Sequence, residues 1–82
     1  MEEIKIKVRS FVVDNFLFGN ANGLEDDTSF LEAGILDSTG VMELVAFLER
    51  QFEIQVDDLE LTPENLDSIL SVGAFVSRKL QV

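Results

Sequence analysis

From Val41 onward the apolar residues Val41, Leu44, Val45, Leu48 and Phe52 recur three or four positions apart. That spacing gathers them on one stripe of an α-helix, which must be covered by other parts of the chain. The pattern predicts a helix from about Ser38 to Phe52. Its approach, Gly34-Ile35-Leu36-Asp37-Ser38-Thr39-Gly40, sets one hydroxyl at the helix entrance, in a chain with no cysteine and no histidine.

Other segments repeat the helical signal. Ile4, Val8, Phe11 and Val12 share one face of a first helix from about Glu2 to Phe16, with Glu2, Lys5 and Arg9 elsewhere. Gly19, Asn20, Asn22 and Gly23 then open a long loop that runs to about Asp37. Loops of that length are usually functional or internally ordered. Phe30 and Leu31 are expected to pin it to the core, and Ser29-Phe30-Leu31-Glu32 fits a capping box that suggests one helical turn before Gly34. After Phe52, Glu53-Ile54-Gln55-Val56 reads as extended or irregular. Thr62-Pro63-Glu64 reads as the cap, first-turn proline and early acid of a short third helix. Ser71 is the expected cap of a final helix in which Val72, Phe75, Val76 and Leu80 face inward, with Arg78 and Lys79 suiting its C-terminal end. The expected fold is all-α, a small antiparallel bundle of three long helices and one short helix, with residues 1–82 forming a single domain.

With 82 residues, 46% of them hydrophobic and seven of them Phe, the chain has material for one modest core without covalent staples. Lacking cysteine, it has no disulfide, thiolate metal site or thiol nucleophile of its own, which fits a cytoplasmic setting. Sixteen acidic against six basic residues give a net charge of −10. Such a surface repels phosphate backbones, which argues against nucleic acid, and attracts enzymes bearing Lys and Arg patches. Neither Glu25-Asp26-Asp27 nor Asp57-Asp58-Leu59-Glu60 has the alternating oxygen ligands, central glycine and terminal glutamate of a calcium loop, so no metal site is expected. No apolar run is long enough to span a bilayer, and Met1-Glu2-Glu3-Ile4-Lys5 leads into no signal-type apolar core. The expectation is a monomer that is neither inserted in a membrane nor exported.

Ser38 is the residue these constraints single out. A helix start presents unpaired N–H groups and the positive end of the peptide dipoles, a field that suits a phosphate. A serine needs an adjacent base to act as a nucleophile by itself, and an exposed Asp37 would be a weak one at neutral pH. The chain thus reads as the substrate of a modifying enzyme rather than as a catalyst. The plainer role for Ser38 is to cap the helix with its own oxygen.

The stretch Asp37-Ser38-Thr39, preceded by Gly34 and followed by an in-phase amphipathic helix, resembles the attachment site of acyl carrier proteins and peptidyl carrier domains. The resemblance runs over nearly the whole chain, in the order of its helices. It implies an acyl-carrier-like bundle in which Ser38, with Asp37 beside it, carries 4'-phosphopantetheine from coenzyme A and holds acyl or aminoacyl groups as thioesters. The implied partners are a phosphopantetheinyl transferase and acyl-loading ligase or synthase enzymes with basic patches, in fatty acid, polyketide or related biosynthesis. They would meet the outer side of the second helix at Thr39, Met42, Glu43, Ala46, Phe47, Glu49 and Arg50. Leu44, Val45, Leu59 and Leu66 are the implied walls of an acyl shelter. Relative to carriers of fatty acid synthesis, Thr39 stands for a usual Leu, while Gly40 and Arg50 stand for acidic residues. These departures favour a stand-alone carrier of a specialised pathway. An acidic helical adaptor with no prosthetic group is the alternative, separated from the carrier by whether Ser38 accepts a covalent group.

Overall fold

The computed structural model describes residues 1–21 and 23–81; of the expected loop formers, Asn22 lies outside them. Among the described residues the regular structure consists of α1 (Glu2–Phe16), α2 (Ser38–Phe52), α3 (Pro63–Leu66) and α4 (Ile69–Leu80), with a 3-10 turn at Asp58–Glu60. This is the all-α bundle of three long helices and one short helix. Among the described residues there is no strand.

α1 begins with Glu2 and Glu3, whose charges complement the helix dipole, and buries Val8 and Val12 completely. It packs most extensively on α4, whose inner face consists of Ile69, Val72, Gly73, Phe75 and Val76. Gly73 permits that approach: a Cβ there would stand 2.9 Å from the Lys5 Cγ. α2 contributes Leu44, Val45 and Leu48, while Val41 of the expected stripe is half-buried at the margin. Phe30 and Phe75 fill the centre. Phe11 of α1 stacks on Phe47 of α2 with ring centroids 4.2 Å apart, and Phe16 and Phe52 add edge contacts at either end. The stack explains why Phe47 is half-buried rather than free.

The long loop is held by polar contacts to both ends of the chain. Arg9 donates to the Leu24 carbonyl at 2.8 Å and to Asp26 at 2.7 Å, and Lys5 pairs with the other Asp26 oxygen at 2.6 Å. Further on, the Phe30 amide donates to the Asp67 carbonyl at 2.7 Å, and the Leu70 amide donates to the Asp26 carbonyl at 2.8 Å. Arg9 and Lys5 therefore do more than solubilise α1.

Several expectations are corrected. Ser68, not Ser71, caps α4: its oxygen accepts the Ser71 amide at 3.0 Å, so the helix starts early enough to bury Ile69. Leu80 is 49% exposed because α4 ends beyond the core. Phe30 pins the loop together with Leu24 and Leu36, whereas Leu31, on the outer side of the same turn, is 51% exposed. The turn itself is present, with the Ser29 oxygen accepting the Glu32 amide at 3.1 Å. Leu59 is 92% exposed, not an inner wall, because a capping box between Asp57 and Glu60 winds residues 58–60 into the 3-10 turn and points the leucine outward.

Candidate functional site

α2 starts with Asp37 as its cap. Asp37 has extended backbone, and its Oδ1 accepts the Gly40 amide at 2.8 Å. Ser38 is thus the first helical residue rather than the cap, which corrects the plainer role. The turn into this cap is closed by Gly34 at φ 71°, a left-handed conformation that glycine adopts without strain, and by the Ile35 amide donating to the Phe30 carbonyl at 2.9 Å. Gly40 suits its position for a different reason. A Cβ at this position would lie 3.2 Å from both Leu36 Cδ2 and Phe16 Cε1, so the helix start presses against the end of α1. The close approach offsets the helix-weakening tendency of glycine.

Ser38 is exposed, and among the described residues nothing hydrogen-bonds its hydroxyl. On one side it borders a half-open groove of about 310 Å³, lined mainly by apolar side chains including Leu31, Val41, Met42, Leu61 and Leu66, with Asp67 at its edge. On the other side a groove of about 350 Å³ runs between Phe16 and the start of α2, edged by Asp37, Thr39 and Glu43. Leu31, Leu61, Thr62, Pro63 and Asp67 were missed as groove residues. The Thr62-Pro63 helix start was readable in sequence, but its position opposite Ser38 depends on tertiary packing.

The residues expected to face partners lie together on α2. Thr39, Met42, Glu43, Ala46, Glu49 and Arg50 are exposed, and Phe47 is half-buried against Phe11. Glu49 is partly committed, since its carboxylate accepts the Val56 amide at 3.0 Å. Of the expected shelter walls, Leu44, Val45 and Leu66 are buried and only Leu66 reaches the groove.

Chemically, the site is an accessible primary alcohol with no base beside it. The chain contains no histidine, and the neighbouring Asp37 carboxylate is engaged by Gly40. These residues fit a phosphopantetheine group: an unengaged hydroxyl at the positive end of a 15-residue helix, beside an apolar groove. Among the described residues no group of three or more carboxylates is placed to hold a metal ion, and no helix is long and apolar enough to cross a membrane.

Comparison with known proteins agrees with this chemistry. Residues 17–76 match the family described as the phosphopantetheine attachment site. The chain is 29% identical over 75 residues to the probable acyl carrier protein PigG of Serratia sp. (strain ATCC 39006), covering 92% of this chain and 86% of that protein. It is 36% identical over 75 residues to an acyl carrier protein of Akkermansia muciniphila, covering 92% and 90% respectively. Among solved structures, a chain described as the crystal structure of FAD-dependent dehydrogenase superposes with a TM-score of 0.75 at 29% identity, covering 84% of this chain and 97% of that one. With the family match extending over most of its length, this chain belongs to the acyl carrier protein family, whose covalently attached cofactor is 4'-phosphopantetheine.

Proposed function

We propose that Ser38 is the attachment residue and that the protein ferries acyl or aminoacyl groups between separate enzymes of fatty acid, polyketide or related biosynthesis, as a monomeric cytoplasmic carrier. The observation that supports this most is the division of labour at the helix start. Asp37 does the capping, which leaves the Ser38 oxygen outward and unengaged. A serine needed for the fold would be found the other way round.

In the modification, Ser38 Oγ forms a bond to the pantetheine-bearing phosphorus of coenzyme A. The phosphoanhydride bond breaks, adenosine 3',5'-bisphosphate leaves, and the serine proton passes to a base of the transferase, since this chain has none to offer. When bound, the group supplies the thiol on which acyl groups travel as thioesters. The chain's residues orient and present it: the α2 dipole favours the phosphate, Asp37 and Gly40 fix the helix start, and Val41, Met42 and Leu61 offer apolar surface beside it. Transferase and loading enzymes with basic patches would dock on Thr39, Met42, Glu43, Ala46, Glu49 and Arg50, where an exposed, flexible Met42 adapts to different surfaces.

The likeness to a chain described with an FAD-dependent dehydrogenase supports a flavin-dependent dehydrogenase as one partner class acting on the carried group. That chain is carrier-sized, since this one accounts for 97% of it. The carrier reading is tested by intact mass after incubation with coenzyme A and a broad-specificity phosphopantetheinyl transferase, Ser38→Ala alongside. Addition of one phosphopantetheine to the wild type alone is expected. Addition to the alanine variant would remove Ser38 from the site, and addition to neither, with a known carrier modified in parallel, would favour the adaptor.

A further inference from the structure

Among the described residues Phe18 is the most exposed of the large apolar side chains, at 94%, and its backbone sits at φ 53°. A bulky residue in the left-handed region is a genuine outlier, whereas glycine would hold the same turn without strain. Gly19 follows at φ 84°, and its amide donates to the Val13 carbonyl at 3.0 Å to close the end of α1. Phe18 therefore stands in an unfavourable backbone conformation with its ring in water, and its exposed side chain adds nothing to the core. Glu53, which closes α2, has a similar φ of 55°, so what sets Phe18 apart is the pairing of that conformation with an almost fully exposed aromatic ring.

The location of Phe18 gives that pairing a direction. The end of α1 lies against the start of α2, with Phe16 touching the space above Gly40 and sharing a groove with Asp37, Thr39 and Glu43. Phe18 is two residues further along, at most about 7 Å of chain. Phe18 thus lies at the same end of the bundle as the start of α2, where an enzyme docking over Ser38 also meets the end of α1. The groove beside Phe16 is edged by the carboxylates of Asp37 and Glu43, and the last turn of α1 carries no basic residue.

We propose that Phe18 is a docking anchor for the phosphopantetheinyl transferase acting at Ser38, entering an apolar socket on that enzyme rimmed by lysine or arginine. The inference rests on the reading of Ser38 as the attachment residue. Aromatic anchors carry a disproportionate share of interface energy, and one held outward by its backbone loses little freedom on docking. Stability and recognition are then opposed at this one position.

The test measures initial rates of phosphopantetheine addition from coenzyme A by a purified broad-specificity transferase, together with thermal melts. The proteins are the wild type, Phe18→Gly, Phe18→Asn and Phe18→Leu. The glycine and asparagine variants are expected to melt higher than wild type while their KM as carrier substrate rises on the order of tenfold with kcat little changed. Phe18→Leu, which keeps an apolar knob, is expected to retain most of the wild-type KM. Unchanged KM in the glycine and asparagine variants would overturn the anchor and leave the attachment residue standing. Lower melting of both would make Phe18 a structural residue and also overturn it. A wild type that accepts no group would remove Ser38 as the site, and the anchor with it.

Discussion

Asp37 Oδ1 lies 2.8 Å from the Gly40 amide nitrogen, so α2 is capped by the residue that precedes its serine. Replacing Asp37 with Ala should therefore cost about 1 kcal/mol of stability, the usual loss of a helix cap. Ser38→Ala should change stability by less than about 0.5 kcal/mol, as an exposed substitution does, while abolishing phosphopantetheine addition. Urea melts of both variants, with intact mass for the second, check the pair.

Gly40 invites the standard exchange of a helical glycine for alanine, which ordinarily gains about 1 kcal/mol. Here the new methyl would meet Leu36 and Phe16 at 3.2 Å. The gain should disappear for Gly40→Ala, and Gly40→Val should lose about 1–3 kcal/mol through overpacking. A full alanine gain in the denaturation midpoint would show that α1 and α2 can separate freely at this end.

Asp67 joins two parts of the chain. Its carboxylate accepts the Ser29 hydroxyl and, at 3.0 Å, the Leu31 amide, while its carbonyl accepts the Phe30 amide. Asp67→Ala should cost about 1–3 kcal/mol, since donors are left without their charged partner. Amide exchange should accelerate first at Leu31 and its neighbours, well before the α1 and α4 cores open.

The loop clasp is also sensitive to acid. The hydrogen bond from Lys5, then that from Arg9, holds the Asp26 carboxyl below its ordinary range, and the Asp57 amide followed by Lys79 does the same for Glu60. A depressed folded pKa means stabilisation that is complete above the unfolded values near 4 and is lost as pH falls through the lower folded ones. Asp26→Asn combined with Glu60→Gln should lower the urea midpoint at pH 7 and flatten its decline between about pH 4.5 and 2. An equally steep decline in the variant would place the acid sensitivity elsewhere.

The long amphipathic helices were legible from sequence because a stripe such as Val8 and Val12, or Leu44, Val45 and Leu48, has a single way to be covered. Where signals were duplicated, the reading slipped. Ser68 and Ser71 are both competent caps, and burial of Ile69 decided between them. Leu31 is expected inward as a loop hydrophobe and Leu59 as a wall implied by the resemblance, yet each sits on a tight turn whose geometry sends neighbouring side chains to opposite sides. Ser38 stood out by its local setting. The groove beside it could not, because Leu31, Met42 and Leu61 come together only through the path of two loops.

The hydrogen bonds from Phe30 to Asp67 and from Leu70 to Asp26 bear on when the protein becomes usable. Both tie residues of the segment leading to Ser38 to partners more than thirty positions further along the chain. A nascent chain grows at roughly 5–20 residues per second, so Ser38 leaves the ribosome before Asp67 and Leu70 can take up their places beneath it. During that interval the serine lies on a tether that lacks its final shape. A transferase that recognises the folded helix start would then discriminate by age, passing over growing chains and spending coenzyme A on finished ones.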